Sequence, residues 1–188
     1  QDFPQVQPVN IHLHKNIPIG AGLGGGSADA AFMLLLLNAK FQLELDETAL
    51  INYAAQLGSD CPFFIINKSC YATGRGEMME PLPLDLSGYS FMLVHPGIHV
   101  NTAWAFKQLT PKAPAHALKD VILLPVEEWK KMMVNDFEAP VFAAHPVLAT
   151  IKKQLYDAGA VYAAMSGSGS AILGIFTKNK IADILWDA

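Results

Sequence analysis

Between residues 18 and 27 the chain runs PIGAGLGGGS, with five glycines in the seven positions from Gly20 to Gly26, and the apolar run ADAAFMLLLLN follows at once. Glycine tolerates left-handed backbone and lets other groups approach the main chain closely. The N-terminus of a helix presents free N–H donors to an anion. A glycine loop entering a helix therefore predicts a phosphate site, with the helix over residues 27–38 and Ser27 as its N-cap. Pro18, Ile19, Gly20, Ala21, Gly22, Leu23, Gly24, Gly25, Gly26, Ser27 and Ala28 are the candidate phosphate-binding residues. Upstream, Val9, Ile11 and Leu13 alternate with Asn10, His12 and His14, the period of two expected of a half-buried strand over residues 9–15.

Two familiar phosphate loops compete for this segment. A Walker A loop requires Lys and then Ser or Thr after its last glycine, whereas Gly26 is followed by Ser27 and Ala28. Gly20, Gly22 and Gly25 do satisfy the spacing of a dinucleotide-binding turn, and Glu44 lies about 20 residues on, where a ribose-binding acid is expected. A second helix follows the first, however, where that fold needs a strand. It opens at Asp46 as a cap, places Leu50, Tyr53, Ala54 and Leu57 at helical spacing, and ends at Gly58.

Further along, residues 62–66 and 70–73 are short apolar or β-prone runs separated by Asn67 and Lys68, a pattern that predicts a hairpin. Residues 80–88 are rich in proline and turn formers, and a domain boundary is expected there, dividing the chain into residues 1–82 and 83–188. Beyond it a strand is expected over 89–95, helices over 102–109, 126–142 and 147–158, strands over 161–165 and 171–176, and a last helix from about Lys180. Residues 111–125 hold three prolines and read as a surface loop.

Composition restricts the function. Apolar residues make up 52% and charged residues 16% of the 188, which describes a globular chain with a core. The net charge of −4, from 13 Lys and Arg against 17 Asp and Glu with no long run of one sign, argues against nucleic acid as a partner. The most apolar stretch, residues 30–37, is too short for a membrane span and reads as a buried helix. No secretory leader is visible, and the two isolated cysteines, Cys61 and Cys70, fit a reducing, cytoplasmic setting. His12 and His14 have metal-compatible spacing but no partner ligands nearby, so exposure is expected and no metal ligand is assigned. Arg75 with Glu77 reads as a surface pair, and Met132 with Met133 as helix packing. The oligomeric state has no signature.

Residues 18–31, PIGAGLGGGSADAA, resemble the ATP-binding signature of the GHMP kinase superfamily, in particular of its branch acting on a cytidine-diphosphate-linked methylerythritol in non-mevalonate isoprenoid synthesis. Four more segments are similar in order: GSDCPFF at 58–64, ATGRGE at 72–77, NDFE at 135–138 and MSGSGS at 165–170. The resemblance implies an α+β, two-domain kinase with a ferredoxin-like C-terminal domain, ATP and Mg2+ as phosphoryl donor, and a small-molecule alcohol as acceptor. It implies that Asp60 is the base that takes the acceptor's proton. It also implies that Thr102 and Phe106 meet the cytidine end of the substrate, and that Gly167, Ser168 and Gly169 fold over the first loop, making the active site interdomain. Homoserine, mevalonate or a sugar is the alternative acceptor, and a non-catalytic nucleotide-binding module is the alternative class.

One departure from the pattern stands out. The family's N-terminal strand carries a Lys-Ile-Asn-Leu type motif, which this chain lacks, and Lys15 occupies a different position in the pattern. The ATP-binding domain is therefore expected to be N-terminally truncated and the chain to have little kinase activity alone. Turnover by the purified 188-residue chain matching that of an N-terminally extended form contradicts this expectation.

Overall fold

The computed structural model describes residues 2–110 and 112–178. The chain forms two compact units: residues up to Ile19 together with Gly24–Pro83, and Gly20–Leu23 together with the chain from Leu84 onward. The glycine loop is thus divided between them.

In the first unit, α1 (Gly25–Phe41) packs against α2 (Glu47–Leu57) and α3 (Cys61–Ile66), and β1 (Cys70–Thr73) pairs antiparallel with β2 (Met78–Pro81). α1 starts two residues before the expected Ser27. Its N-cap is Gly24 in the left-handed region (φ 66°), with no side-chain capping bond, and Gly25 and Gly26 are already helical. The expected cap of α2 forms, with Asp46 accepting from the Ala49 amide at 2.8 Å. α1 was expected to be buried, but only Ala31 is; Phe32 and Leu36 are 53% and 58% exposed, because α2 and α3 cover one side of it.

Two expectations fail here for identifiable reasons. Residues 62–66 belong to a short helix, not to a hairpin strand. Pro62 stands at its first turn, where a missing N–H costs nothing, and Asn67 closes it in the left-handed region with its amide on Phe63 O at 2.7 Å. The hairpin lies one step later, with Cys70 opposite Pro81 and Thr73 opposite Met78. Residues 9–15 form no strand. Alternation specifies a strand only when a neighbour completes the ladder, and among the described residues none does; Ile11 and Leu13 are 60% and 63% exposed.

The second unit is a three-stranded antiparallel sheet in the order β3 (Tyr89–Val94), β5 (Ile172–Thr177), β4 (Tyr162–Met165), covered on both faces. Along β5, Ile172 and Phe176 face a core built with Leu148, Ile151 and Leu155 of α8 (Pro146–Asp157), Val141 of α7 (Glu138–Ala144) and Ala105 of α4 (Thr102–Gln108). Ile175 points the other way, with Tyr162, to Trp129 of α6 (Val126–Met132) and Val121 of α5 (Leu118–Val121). The helix expected over 126–142 is two helices, since Asn135 turns its side-chain oxygen to the Phe137 amide at 2.9 Å and restarts the chain there. Within the stretch expected to be a surface loop, α5 places Val121 in the core at 1% exposure. The helix expected from Lys180 lies outside the described residues.

The Tyr162 ring stacks edge-on against Trp129 at 5.7 Å, and burial, with the negative field of Glu138 second, pushes its phenol well above the usual 10.0. The ionised phenol is disfavoured in the folded chain, so stability holds below the unfolded value and falls as pH rises beyond it. Tyr162→Phe should flatten the fall in denaturant midpoint between about pH 9 and 11. Parallel pH profiles for the two proteins contradict that.

Candidate functional site

The first half of the glycine loop is built into the second unit. Gly22 has φ 77°, and a Cβ there would lie 2.3 Å from Ser166 O and 2.9 Å from Gly169 O, so two backbone carbonyls exclude any side chain. The Ser166 hydroxyl donates to Gly22 O at 2.7 Å, and the Ala171 amide to Ala21 O at 3.1 Å. Ala21 is 2% exposed. Residues 20–23, the first part of the glycine loop, are therefore joined to the segment over 165–171 through their main-chain carbonyls.

The second half enters α1. Glycine costs about 1 kcal/mol relative to alanine inside a helix, yet Gly25 and Gly26 both sit in the first turn. At Gly26 an added Cβ would meet nothing within 4 Å, so packing does not require a glycine there. The result is a helix start without side chains in its first two positions. The Lys15 ammonium stands beside it, ion-paired with Asp29, and the two residues line a cavity of about 240 Å³ with His14, Asn16, Ile17, Gly25 and Ala28. This cation lay outside the expected site, and nothing in the local sequence pairs positions 15 and 29. His14 meets Asn16 at 2.9 Å, and among the described residues no three His, Cys, Asp or Glu side chains form a metal-binding group.

Asp60 occupies the N-cap position of α3 but makes no capping bond; its carboxylate is exposed and accepts from the Ser59 hydroxyl at 3.3 Å. Beside it runs the β1–β2 turn, where a Cβ on Gly76 would come 3.4 Å from Asp60 Oδ1. Glu77 shapes that turn by accepting the Arg75 amide at 2.6 Å. Its own amide and that of Arg75 hold the carboxyl below the usual range. Glu77 thus has a structural role in this turn in addition to its electrostatic interaction with Arg75.

In the second unit the Thr102 hydroxyl meets Ser168 Oγ at 3.1 Å, and Phe106, 60% exposed, packs edge-on against Phe137 at 4.9 Å. His99 was not singled out in the sequence, yet its ring covers Gly20, whose Cβ would fall 2.9 Å from Nδ1. Asn135 donates to both Met165 O and Gly167 O at 2.8 Å. Among the described residues no helix is long and apolar enough to cross a membrane.

Comparison with known proteins gives this arrangement its class. The models for the GHMP kinases N terminal domain and GHMP kinases C terminal match residues 1–68 and 117–188. Proteins named 4-diphosphocytidyl-2-C-methyl-D-erythritol kinase are 54% identical in Bacteroides fragilis, over 100% of this chain and 69% of the relative, and 53% identical in Bacteroides thetaiotaomicron, over 90% and 62%. A crystal structure of 4-(cytidine 5'-diphospho)-2C-methyl-D-erythritol kinase superposes with a TM-score of 0.73 at 34% identity, covering 86% of this chain and 59% of that one. Homoserine kinase from Cytophaga hutchinsonii, at 19% identity and a TM-score of 0.62 over 88% of this chain and 59% of that one, shares the fold. The chain belongs to the GHMP kinase family, small-molecule kinases that use ATP as phosphate donor. It spans roughly two thirds of the length of the curated relatives it matches, 69% of one and 62% of another.

The contact at Gly22 is the most demanding in the loop. Gly22→Ala meets a left-handed backbone costing about 1–2 kcal/mol and two carbonyls that cannot yield without moving residues 166–169. It should lower the melting temperature by at least about 3 °C, while Gly26→Ala, which has room for its methyl, leaves it unchanged or raises it. Equal melting temperatures for the two variants contradict the packing at Gly22.

Proposed function

We propose that this chain transfers the γ-phosphoryl group of ATP to the 2-hydroxyl of 4-diphosphocytidyl-2-C-methyl-D-erythritol, in the cytoplasm. The observation that carries a phosphate-transfer reading is the loop from Gly20 to Gly26 running into a 17-residue helix that starts on a left-handed glycine without a side-chain cap. Its first-turn amides and the helix dipole favour a polyphosphate. The acceptor is inferred from the names of relatives about half identical to this chain. Domain roles follow: residues 1–82 as ATP-binding part and 83–188 as the C-terminal kinase domain.

In this proposal Pro18 to Ala28 hold the nucleotide, and the cavity beside Gly25 accommodates part of it beyond the phosphates. Asp60 takes the proton of the acceptor hydroxyl as its oxygen forms the new bond to the γ-phosphorus, and the bond from that phosphorus to the bridging oxygen breaks, releasing ADP. An exposed carboxylate without a capping duty is free for that task. Thr102 and Phe106 receive the cytidine end, where an exposed ring offers a stacking face, and Gly167, Ser168 and Gly169 line the acceptor beside the phosphate being transferred. Mg2+ bound with the nucleotide would supply charge neutralisation on the transferring phosphates. The donor set suits an ion brought in by the nucleotide, because Mg2+ is commonly held by substrate phosphates and water with few protein ligands. Ser27, whose hydroxyl sits in the first turn of α1, is the residue that would help hold it.

Asp60→Asn keeps the shape of the side chain and removes the base. In an N-terminally extended form it should lower turnover about 10³-fold with MgATP affinity within about twofold, and the acceptor panel should favour the cytidine diphosphate compound over homoserine, mevalonate and sugars. Undiminished turnover by the variant removes Asp60 from the role of base.

A further inference from the structure

The loop over residues 166–170 has no regular structure of its own, yet nearly every polar group around its first half is committed. Met165 N–H donates to Glu138 Oε1 at 2.8 Å, while Asn135 Nδ2 donates to Met165 O and to Gly167 O, both at 2.8 Å. The Ser166 amide bonds to Ala171 O at 2.8 Å, and its hydroxyl to Gly22 O at 2.7 Å. The amides of Gly167 and Ser168 make no hydrogen bond among the described residues. What is fixed is thus the set of carbonyls, and what is left over is a pair of adjacent donors.

Glu138 is 7% exposed and is paired with Lys152 of α8 at 2.5 Å. Burying a carboxylate is costly, and a well-packed apolar pair often stabilises a fold as well or better. A charged pair here is better explained by its direction than by stability: Lys152 aims one oxygen of Glu138, leaving the other for the Met165 amide. Asn135 is likewise fixed, because its oxygen accepts from the Phe137 amide at 2.9 Å and its nitrogen is thereby turned to the two carbonyls. Phe137, between these two residues, carries the ring against which Phe106 rests.

We infer that Asn135, by holding the carbonyls of Met165 and Gly167, and Glu138, by holding the amide of Met165, are positioning residues that present the amides of Gly167 and Ser168 to a phosphate of the bound nucleotide. The inference rests on the kinase function proposed above. Asn135 reaches no substrate; it acts through the loop. Its amide nitrogen is the critical atom, since an oxygen in its place would face two carbonyl oxygens.

The test uses Asn135→Asp in the 188-residue chain, a change that keeps volume and the acceptor for Phe137 N–H but removes both donors. MgATP affinity, measured by calorimetry, should fall about tenfold. Amide hydrogen exchange should accelerate about tenfold across residues 166–169 while α8 keeps its protection. Ile151→Val, a small loss in the core of the same unit, serves as the structural control and should lower the melting temperature with affinity unchanged within about twofold. Wild-type affinity in Asn135→Asp, or exchange that accelerates equally throughout the unit, overturns the inference. A wild-type chain that does not bind MgATP contradicts the kinase proposal itself, and the exchange pattern alone then decides for or against the clamp.

Discussion

The organisation of the second unit around its candidate site depends on one contact, the approach of the Gly22 backbone to Ser166 and Gly169. It leaves no room for a Cβ, and it is closed by hydrogen bonds from the Ser166 hydroxyl and the Ala171 amide. A segment of four residues, Gly20–Leu23, is thereby built into a unit whose remaining chain begins at Leu84. Hydrophobic burial does little at this point, because Ala21 is the buried apolar side chain of that segment. Backbone geometry and hydrogen bonds specify the loop instead, a task only residues with small side chains can perform.

The sheet beneath it serves as the rigid support. β5 is covered on both faces, with Ile172 and Phe176 in one core and Ile175 in the other, and the loop over residues 166–170 connects it to β4. A loop carried on a doubly covered sheet has a rigid base. Charge is used sparingly and locally: Glu138 with Lys152 under the second loop, and Lys15 with Asp29 beside the first turn of α1. Both pairs join residues 14 apart in sequence, and each lies next to a glycine-containing loop.

Much of this was legible in the sequence, and what was not shares a physical origin. The glycine loop, the Asp46 cap and the strands of the second unit follow from rules acting over a few residues, such as left-handed backbone, capping and alternation. The strand expected at residues 9–15 and the hairpin at 62–66 depended on partners that local pattern cannot supply. Pro62 and Asn67 in fact carried a helix signal, since proline at a first turn and asparagine at a left-handed cap both favour it. For the site, the family resemblance offered Asp60, Thr102 and Phe106 as candidates, and their roles are proposals. The Lys15–Asp29 pair, the His99 ring over Gly20 and the double donation by Asn135 could not be seen, because each is a tertiary contact between segments with no common pattern.

A nucleoside triphosphate is proposed to occupy the glycine loop. Titration of the 15N-labelled chain with MgATP, followed by amide chemical shifts, tests this most directly. The largest saturable shifts are predicted at residues 22–27 and 166–169, with NADH producing none. Saturation by NADH in place of MgATP, or shifts from MgATP confined to residues outside these two segments, would contradict it.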